Sequence, residues 1–158
     1  MVSRPEDLLA LFNLMQKSWD RPTTSDWVDV LRALPLFSNL STRHVRQVAK
    51  LAAFVEFPPG DFVVHVGEPG DAFYLIVSGK AKTVGKPRAR ALGPGDFFGE
   101  MALIDGAPRS ATIVATTELH AMKLARRPFM KLLEQEPKVA LTLLTELAAR
   151  IRRLERSA

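Results

Sequence analysis

Glu100 and Arg109 are the charged side chains whose surroundings suit chemistry rather than solvation. They stand in residues 97–110, F-F-G-E-M-A-L-I-D-G-A-P-R-S, the one interval in the middle of the chain where strand alternation fails. Gly99 permits close backbone approach. Glu100-Met101-Ala102-Leu103 are good formers of a single helical turn, whose first N–H groups have no intrahelical acceptor. Such a turn attracts an anion. Gly106 and Pro108 then break it and bring Arg109 and Ser110 to the start of the next strand. There a guanidinium fork, a hydroxyl and backbone N–H groups can converge on the same anion. Phosphate fits that company, but Glu100 does not, because a carboxylate against phosphate oxygens is costly. Glu100 is therefore expected to accept a hydrogen bond from a neighbouring sugar hydroxyl. An anion site beside a hydroxyl acceptor describes a nucleotide.

Other chemistries drop out on composition. With no cysteine among 158 residues, disulfides, zinc knuckles, thiolate clusters and a Cys nucleophile are excluded. His44, His65 and His120 are too scattered to be metal ligands by spacing. The net charge of +5 raises nucleic acid and anionic lipid as partners, but much of the excess lies in the last helical stretch, where Lys and Arg also suit a solvated face. The opening residues are polar, and the apolar run 8–15 is interrupted by Asn13 and lacks a cleavage site. It reads as neither signal peptide nor membrane span, which makes a cytoplasmic location the expectation.

The elements that must position the 97–110 interval follow from punctuation. All nine glycines fall between Gly60 and Gly106, and the flanks have helical periodicity. In residues 1–52, Leu8, Phe12, Met15 and Trp19 recur at helical spacing. Trp27, Val28, Leu31 and Leu34 form a second stripe, and Ser41 is a plausible N-cap for a helix carrying Val45, Val48, Ala49 and Ala52. Residues 53–57, 62–66, 73–77, 81–84, 89–92, 112–115 and 119–124 are β-type runs separated by Gly- and Pro-rich turns such as Pro58-Pro59-Gly60-Asp61 and Gly85-Lys86-Pro87. Two sheets folded face to face bury both apolar faces, so the expected fold class is α+β: a jelly-roll β-barrel of about eight strands between N-terminal helices and two C-terminal helices. Pro128 suits a first helical turn, and Pro137 can start a longer helix on which Leu144, Leu147, Ile151 and Leu154 form a stripe. The stripe is expected to pack on the barrel, with a homodimer seam as the other reading.

The run Phe98-Gly99-Glu100-Met101-Ala102-Leu103-Ile104, then Gly106 and Pro108-Arg109-Ser110-Ala111-Thr112, closely resembles the phosphate-binding cassette of the cyclic nucleotide-binding domain family. That family includes protein kinase A regulatory subunits, catabolite activator protein and cyclic-nucleotide-gated channels; within it the chain looks most like the C-terminal domain of a bacterial potassium channel. The resemblance runs from about Leu31 to Leu154. It takes in the Gly67-x-x-Gly70-Asp71 hairpin, Tyr74-Leu75-Ile76-Val77-Ser78-Gly79 and Leu92-Gly93-Pro94-Gly95-Asp96.

The resemblance implies a domain over 27–158, with its barrel at 53–125, its cassette at 97–112 and lid helices at 126–156, after a helical extension over 1–26. It implies that Glu100 bonds the ribose 2'-hydroxyl, that Arg109 pairs with the cyclic phosphate, and that Gly99, Met101, Ala102, Ser110 and Ala111 complete the pocket. Arg150 lines up with the lid residue that folds over the purine, and Leu147 is its apolar substitute. Threonine after the cassette arginine is the family's usual mark of cGMP preference. Ser110 stands there, and cAMP is the favoured ligand, with cGMP the other candidate. The implied function is a stand-alone sensor or regulatory module without catalysis, acting on a protein partner. The chain ends at Ala158 right after the lid helix, so no DNA-binding domain and no membrane span are expected. Two alternatives remain: a degenerate scaffold with an empty pocket, and a cupin-like metal enzyme built on His65 and Glu68. The plain reading of Arg109 is a surface arginine paired with Asp105.

Overall fold

The computed structural model describes residues 21–85 and 89–157. The expected helix through Leu8, Phe12, Met15 and Trp19 lies outside them, as do Lys86 and Pro87 of one turn. Among the described residues, two helices come first. Helix α1, Thr24–Arg32, starts from a reciprocal cap in which the Asp26 N–H donates to Thr23 Oγ1 at 3.2 Å and the Thr23 N–H donates to Asp26 Oδ2 at 2.7 Å. Helix α2, Thr42–Ala49, is capped by Ser41, whose Oγ accepts from the His44 N–H. It closes at Ala49, so Ala52 falls beyond it.

Eight strands follow: β1 Ala53–Phe57, β2 Phe62–Val64, β3 Ala72–Ser78, β4 Ala81–Val84, β5 Ala91–Leu92, β6 Phe97–Phe98, β7 Thr112–Ala115 and β8 Leu119–Ala125. They form two four-stranded sheets, ordered β1-β8-β3-β6 and β2-β7-β4-β5, with every pair antiparallel. This is the jelly-roll α+β fold. Strand β6 corrects the expectation that 97–110 is wholly without strand: Phe97 pairs with Leu75 and Phe98 with Tyr74. Two residues carry no alternation that a sequence could display. The run at 62–66 also shortens to Val64, and that at 89–92 to its last two residues.

Strand β3 is buried on both faces, and its alternation divides the core in two. Ala72, Tyr74 and Ile76 point between the sheets, where they meet Ile113, Ala115, Leu119 and Ala121. Phe73, Leu75 and Val77 point out of the barrel into a second layer with Leu31, Phe37, Val48 and Phe129 from the helices. Phe37 meets Phe73 and Phe129 edge-on, with ring centroids about 6 Å from each.

A short helix α3, Glu100–Asp105, sits between β6 and β7; α4, Arg126–Gln135, and α5, Pro137–Ser157, follow the barrel. Pro128 lies in the first turn of α4, and Pro137 opens α5. The leucine stripe of α5 does not pack on the barrel as expected. Val139 and Leu143 are its buried residues, Leu147 is half-buried against the core, and Leu144, Ile151 and Leu154 are 60%, 57% and 71% exposed. At about 100° per residue, Leu144 is turned well away from Leu143. From Ile151 onward every described residue of the helix is exposed.

Candidate functional site

Arg109 is placed by its backbone first. Its N–H donates to Glu68 O at 2.8 Å and its carbonyl accepts from the Gly67 N–H at 2.9 Å, while the Gly70 N–H donates to Ala107 O at 3.1 Å. The loop between β2 and β3 is thus sewn to the segment that leaves α3. Gly70 is required there, because a side chain would strike Ala102 Cβ and Ala107 O.

The guanidinium is then fixed from inside the barrel. Arg109 is 7% exposed; Nη2 donates to Ala72 O at 2.7 Å and lies 3.4 Å from Asp71 Oδ1. Its Cζ stands 5.8 Å from the centroid of the Tyr74 ring, which is itself stacked on Phe98 at 5.2 Å. The partner carboxylate is Asp71, not Asp105, whose Oδ1 accepts from the Ala107 N–H in a local turn. Among the described residues, Nη1 and Nε of Arg109 have no protein hydrogen-bond partner. Gly99 lies against that free side: its φ is +82°, and a Cβ there would collide with Nη1 and stand 2.6 Å from Ala72 O. No other residue type fits so near the guanidinium in that left-handed conformation.

Gly99 is also the N-cap of α3 and supplies no side-chain cap, so the first amides of the turn face open space. That space is a cavity of about 320 Å³ lined by Gly99, Glu100, Met101, Ala102, Arg109, Ser110 and Ala111, with Phe97, Phe98 and Ile113 among its apolar walls. A wider recess of about 680 Å³ shares the walls Phe97, Phe98, Ser110 and Ala111 and adds Thr83, Arg90, Ala91 and Leu92 from the β4–β5 side. The arrangement offers an anion a buried cation and amide donors, and offers a flat apolar group an adjoining slot.

Arg150 reaches this site from α5. Its Nη1 and Nη2 donate to the two carboxylate oxygens of Glu100 at 3.0 and 3.3 Å, and both side chains are about a fifth exposed. Leu147 does not line the cavity. Of the residues that hold Arg109, the sequence reading gave Asp71 and Tyr74 no role. Asp71 ends the Gly67-x-x-Gly70-Asp71 hairpin, the loop that clamps the Arg109 backbone, and Tyr74 opens the Tyr74-Leu75-Ile76-Val77-Ser78-Gly79 run. Thr83 and Arg90 were missed because nothing local marks a strand edge as the wall of a recess.

Residues 54–136 match the cyclic nucleotide-binding domain family, and the chain belongs to it. It is 39% identical over 107 residues to a cAMP-dependent protein kinase regulatory subunit of Emericella nidulans, covering 65% of this chain and 26% of that one. Over 111 residues it is 37% identical to a cyclic nucleotide-gated potassium channel of Mesorhizobium japonicum, covering 70% and 31%. Among solved structures, the N-terminal domain of a transcriptional regulator from Streptomyces coelicolor A3(2) superposes with a TM-score of 0.71 at 34% identity, over 81% of this chain and 94% of that domain. The chain spans under a third of the length of those two curated relatives. The family is a ligand-binding regulatory domain and not an enzyme class, which overturns the cupin-like alternative. Among the described residues no helix is long and apolar enough to cross a membrane.

Proposed function

We propose that the chain is a cAMP sensor whose cassette takes the cyclic phosphate on Arg109 and the ribose on Glu100, and whose last helix reports occupancy to a protein partner. The observation that carries this reading is the pair of opposite charges on the walls of one small cavity, with Arg109 buried and half its guanidinium unused. A phosphate oxygen would accept from Nη1 and from the first amides of α3, and the Ser110 hydroxyl stands on the same wall. The purine would occupy the slot beside Phe97, Phe98 and Ala111.

Glu100 is not idle without ligand, because Arg150 occupies both its oxygens. A ribose hydroxyl would compete with Arg150 for one of them. Ligand therefore alters the hold of Glu100 on α5 and leaves the Arg150 guanidinium free to cover the base. The movement of α5 is the output. Ser110 decides little between the two bases, and the likeness to a cAMP-dependent regulatory subunit favours cAMP.

A second copy of the chain is the partner favoured by the exposed face of α5. Leu144 and Ile151 fall at heptad position a and Leu154 at d, all three exposed, while Leu147 at the other d position is half-buried against the core and Arg150 is engaged with Glu100.

The test is a thermal-shift panel of cAMP, cGMP and linear AMP on the purified chain. A ligand that binds only the folded state stabilises it by mass action, by about 2.7 kcal/mol at a hundredfold excess over Kd, and so raises the midpoint. The expected order is cAMP, then cGMP, with no shift from AMP. No shift from either cyclic nucleotide overturns the reading.

A further inference from the structure

The joint between α4 and α5 carries a polar cluster that the nucleotide site does not use. Glu136 is the single residue between the two helices, with φ −129° and ψ 76°. Pro137 enforces the break, since the residue before a proline is driven out of the helical region. The Glu136 carboxylate is then held by one face of α2. Oε1 accepts from Arg43 Nη2 at 2.7 Å and from Gln47 Nε2 at 3.2 Å, and Oε2 lies 3.6 Å from His44 Nε2. Residues 43, 44 and 47 share that face because three and four positions bring side chains together on a helix.

The cluster is not fully satisfied. His44 Nε2 and Gln47 Oε1 are buried and have no hydrogen-bond partner. A shift of Glu136 by a few tenths of an ångström would bring His44 Nε2 within hydrogen-bond distance, so the joint sits close to a second arrangement.

Its place in the fold gives that shift leverage. Fourteen residues separate Glu136 from Arg150, so a rigid α5 puts Arg150 about 21 Å from the joint, and a tilt of about 10° there moves the guanidinium by about 3.7 Å. That exceeds the slack in a pair held at 3.0 and 3.3 Å.

We infer that Glu136 is a positioning residue: by pinning the α4–α5 joint to Arg43, His44 and Gln47 of α2, it sets the angle of α5 and so decides whether Arg150 reaches Glu100. The nucleotide arm of its test rests on the proposed function, whereas the geometric arm does not.

The chain has no cysteine, so Lys80→Cys on the barrel and Glu155→Cys on α5 give a unique pair of labels, both at exposed positions. Dipolar distances are read on ligand-free protein diluted with unlabelled chain, for wild type, Glu136→Gln and Glu136→Ala. The expected result is one narrow distribution in wild type, a shift or broadening of about 4 Å in Glu136→Ala, and an intermediate change in Glu136→Gln, which keeps an acceptor for Gln47 and Arg43. The dissociation rate of cAMP should change at least threefold in Glu136→Ala. Should that variant fail to fold, Arg43→Ala takes its place, since Arg43 is largely exposed and its loss leaves the core intact. Distances that are the same in the folded variant as in wild type overturn the inference. Shifted distances with no cyclic nucleotide bound in any variant uphold it and overturn the proposed function instead. Shifted distances with unchanged cAMP release uphold the positioning of α5 and overturn its bearing on the ligand.

Discussion

Arg109 can serve a phosphate because its neighbours take up only part of its guanidinium. Ala72 O and Asp71 hold Nη2, Tyr74 supports the plane, and the absence of a side chain at Gly99 leaves the opposite side open. Removing one partner of a desolvated charge pair costs about 2 to 5 kcal/mol, and each 1.4 kcal/mol or so is a decade of affinity. Arg109→Ala is therefore expected to weaken cAMP binding at least tenfold by calorimetric titration; equal affinity in the two proteins would remove phosphate from this residue. Glu100 makes a finer prediction because it has two duties. Glu100→Gln should weaken cAMP several-fold but cost much less for the 2'-deoxy analogue, which has no hydroxyl to offer. If the penalty is the same for both, Glu100 acts only through Arg150 and the sugar contact is wrong. The types of these two residues and their place in the cassette were legible in the sequence. The hold of Asp71 and Ala72 on Arg109 was not, since it joins residues 37 and 38 positions apart.

Among the elements, those that were legible have a period and an end. The caps at Ser41 and Pro137 are local chemistry, and the strand runs display alternation or Gly and Pro at their borders. Strand β6 was invisible because two phenylalanines carry no period, and the exposed face of α5 was misassigned because helical spacing shows that a face is apolar without showing what lies against it. The joint of α4 and α5 belongs to the same class: Pro137 announces a break, but the dock of Glu136 on α2 spans 93 residues. That dock has a pH signature. The amide hydrogen bond from Gln47, with the charges of Arg43 and His44, holds the Glu136 carboxyl below its ordinary value of 4.5. A carboxyl lowered in the folded state stabilises fully above its unfolded value, and that stabilisation is lost as pH falls through the folded value. Its contribution should be flat at neutral pH and disappear below pH 4.5. Thermal midpoints followed from about pH 6 down to 3 should fall more steeply in wild type than in Glu136→Gln; parallel curves would show that the carboxylate does not stabilise the joint.

At the scale of the whole molecule, the fold leaves one helix half employed. The inner face of α5 is committed through Val139, Leu143 and Arg150, and the outer face presents Leu141, Leu144, Ile151 and Leu154 to solvent at 64%, 60%, 57% and 71% exposure. Scattered apolar residues are ordinary on a protein surface, but an a/d series with a β-branched residue at one a position and leucine at d is the pattern of a two-stranded seam. A seam of two heptads is short, so the pair of α5 helices is expected to associate weakly and reversibly. Sedimentation of the purified chain should therefore show a monomer–dimer equilibrium at about 10 to 100 μM. Ile151→Glu should abolish it, because a carboxylate at a buried a position is desolvated without a partner. Ile151 touches neither cavity, so the same variant should keep cAMP binding. Association and ligand binding are linked through α5: if cAMP shifts the helix toward the arrangement that pairs better, it tightens the dimer by the same factor by which the dimer tightens cAMP. A wild-type chain that stays monomeric throughout that range, with and without cAMP, would leave the outer face of α5 to a different protein.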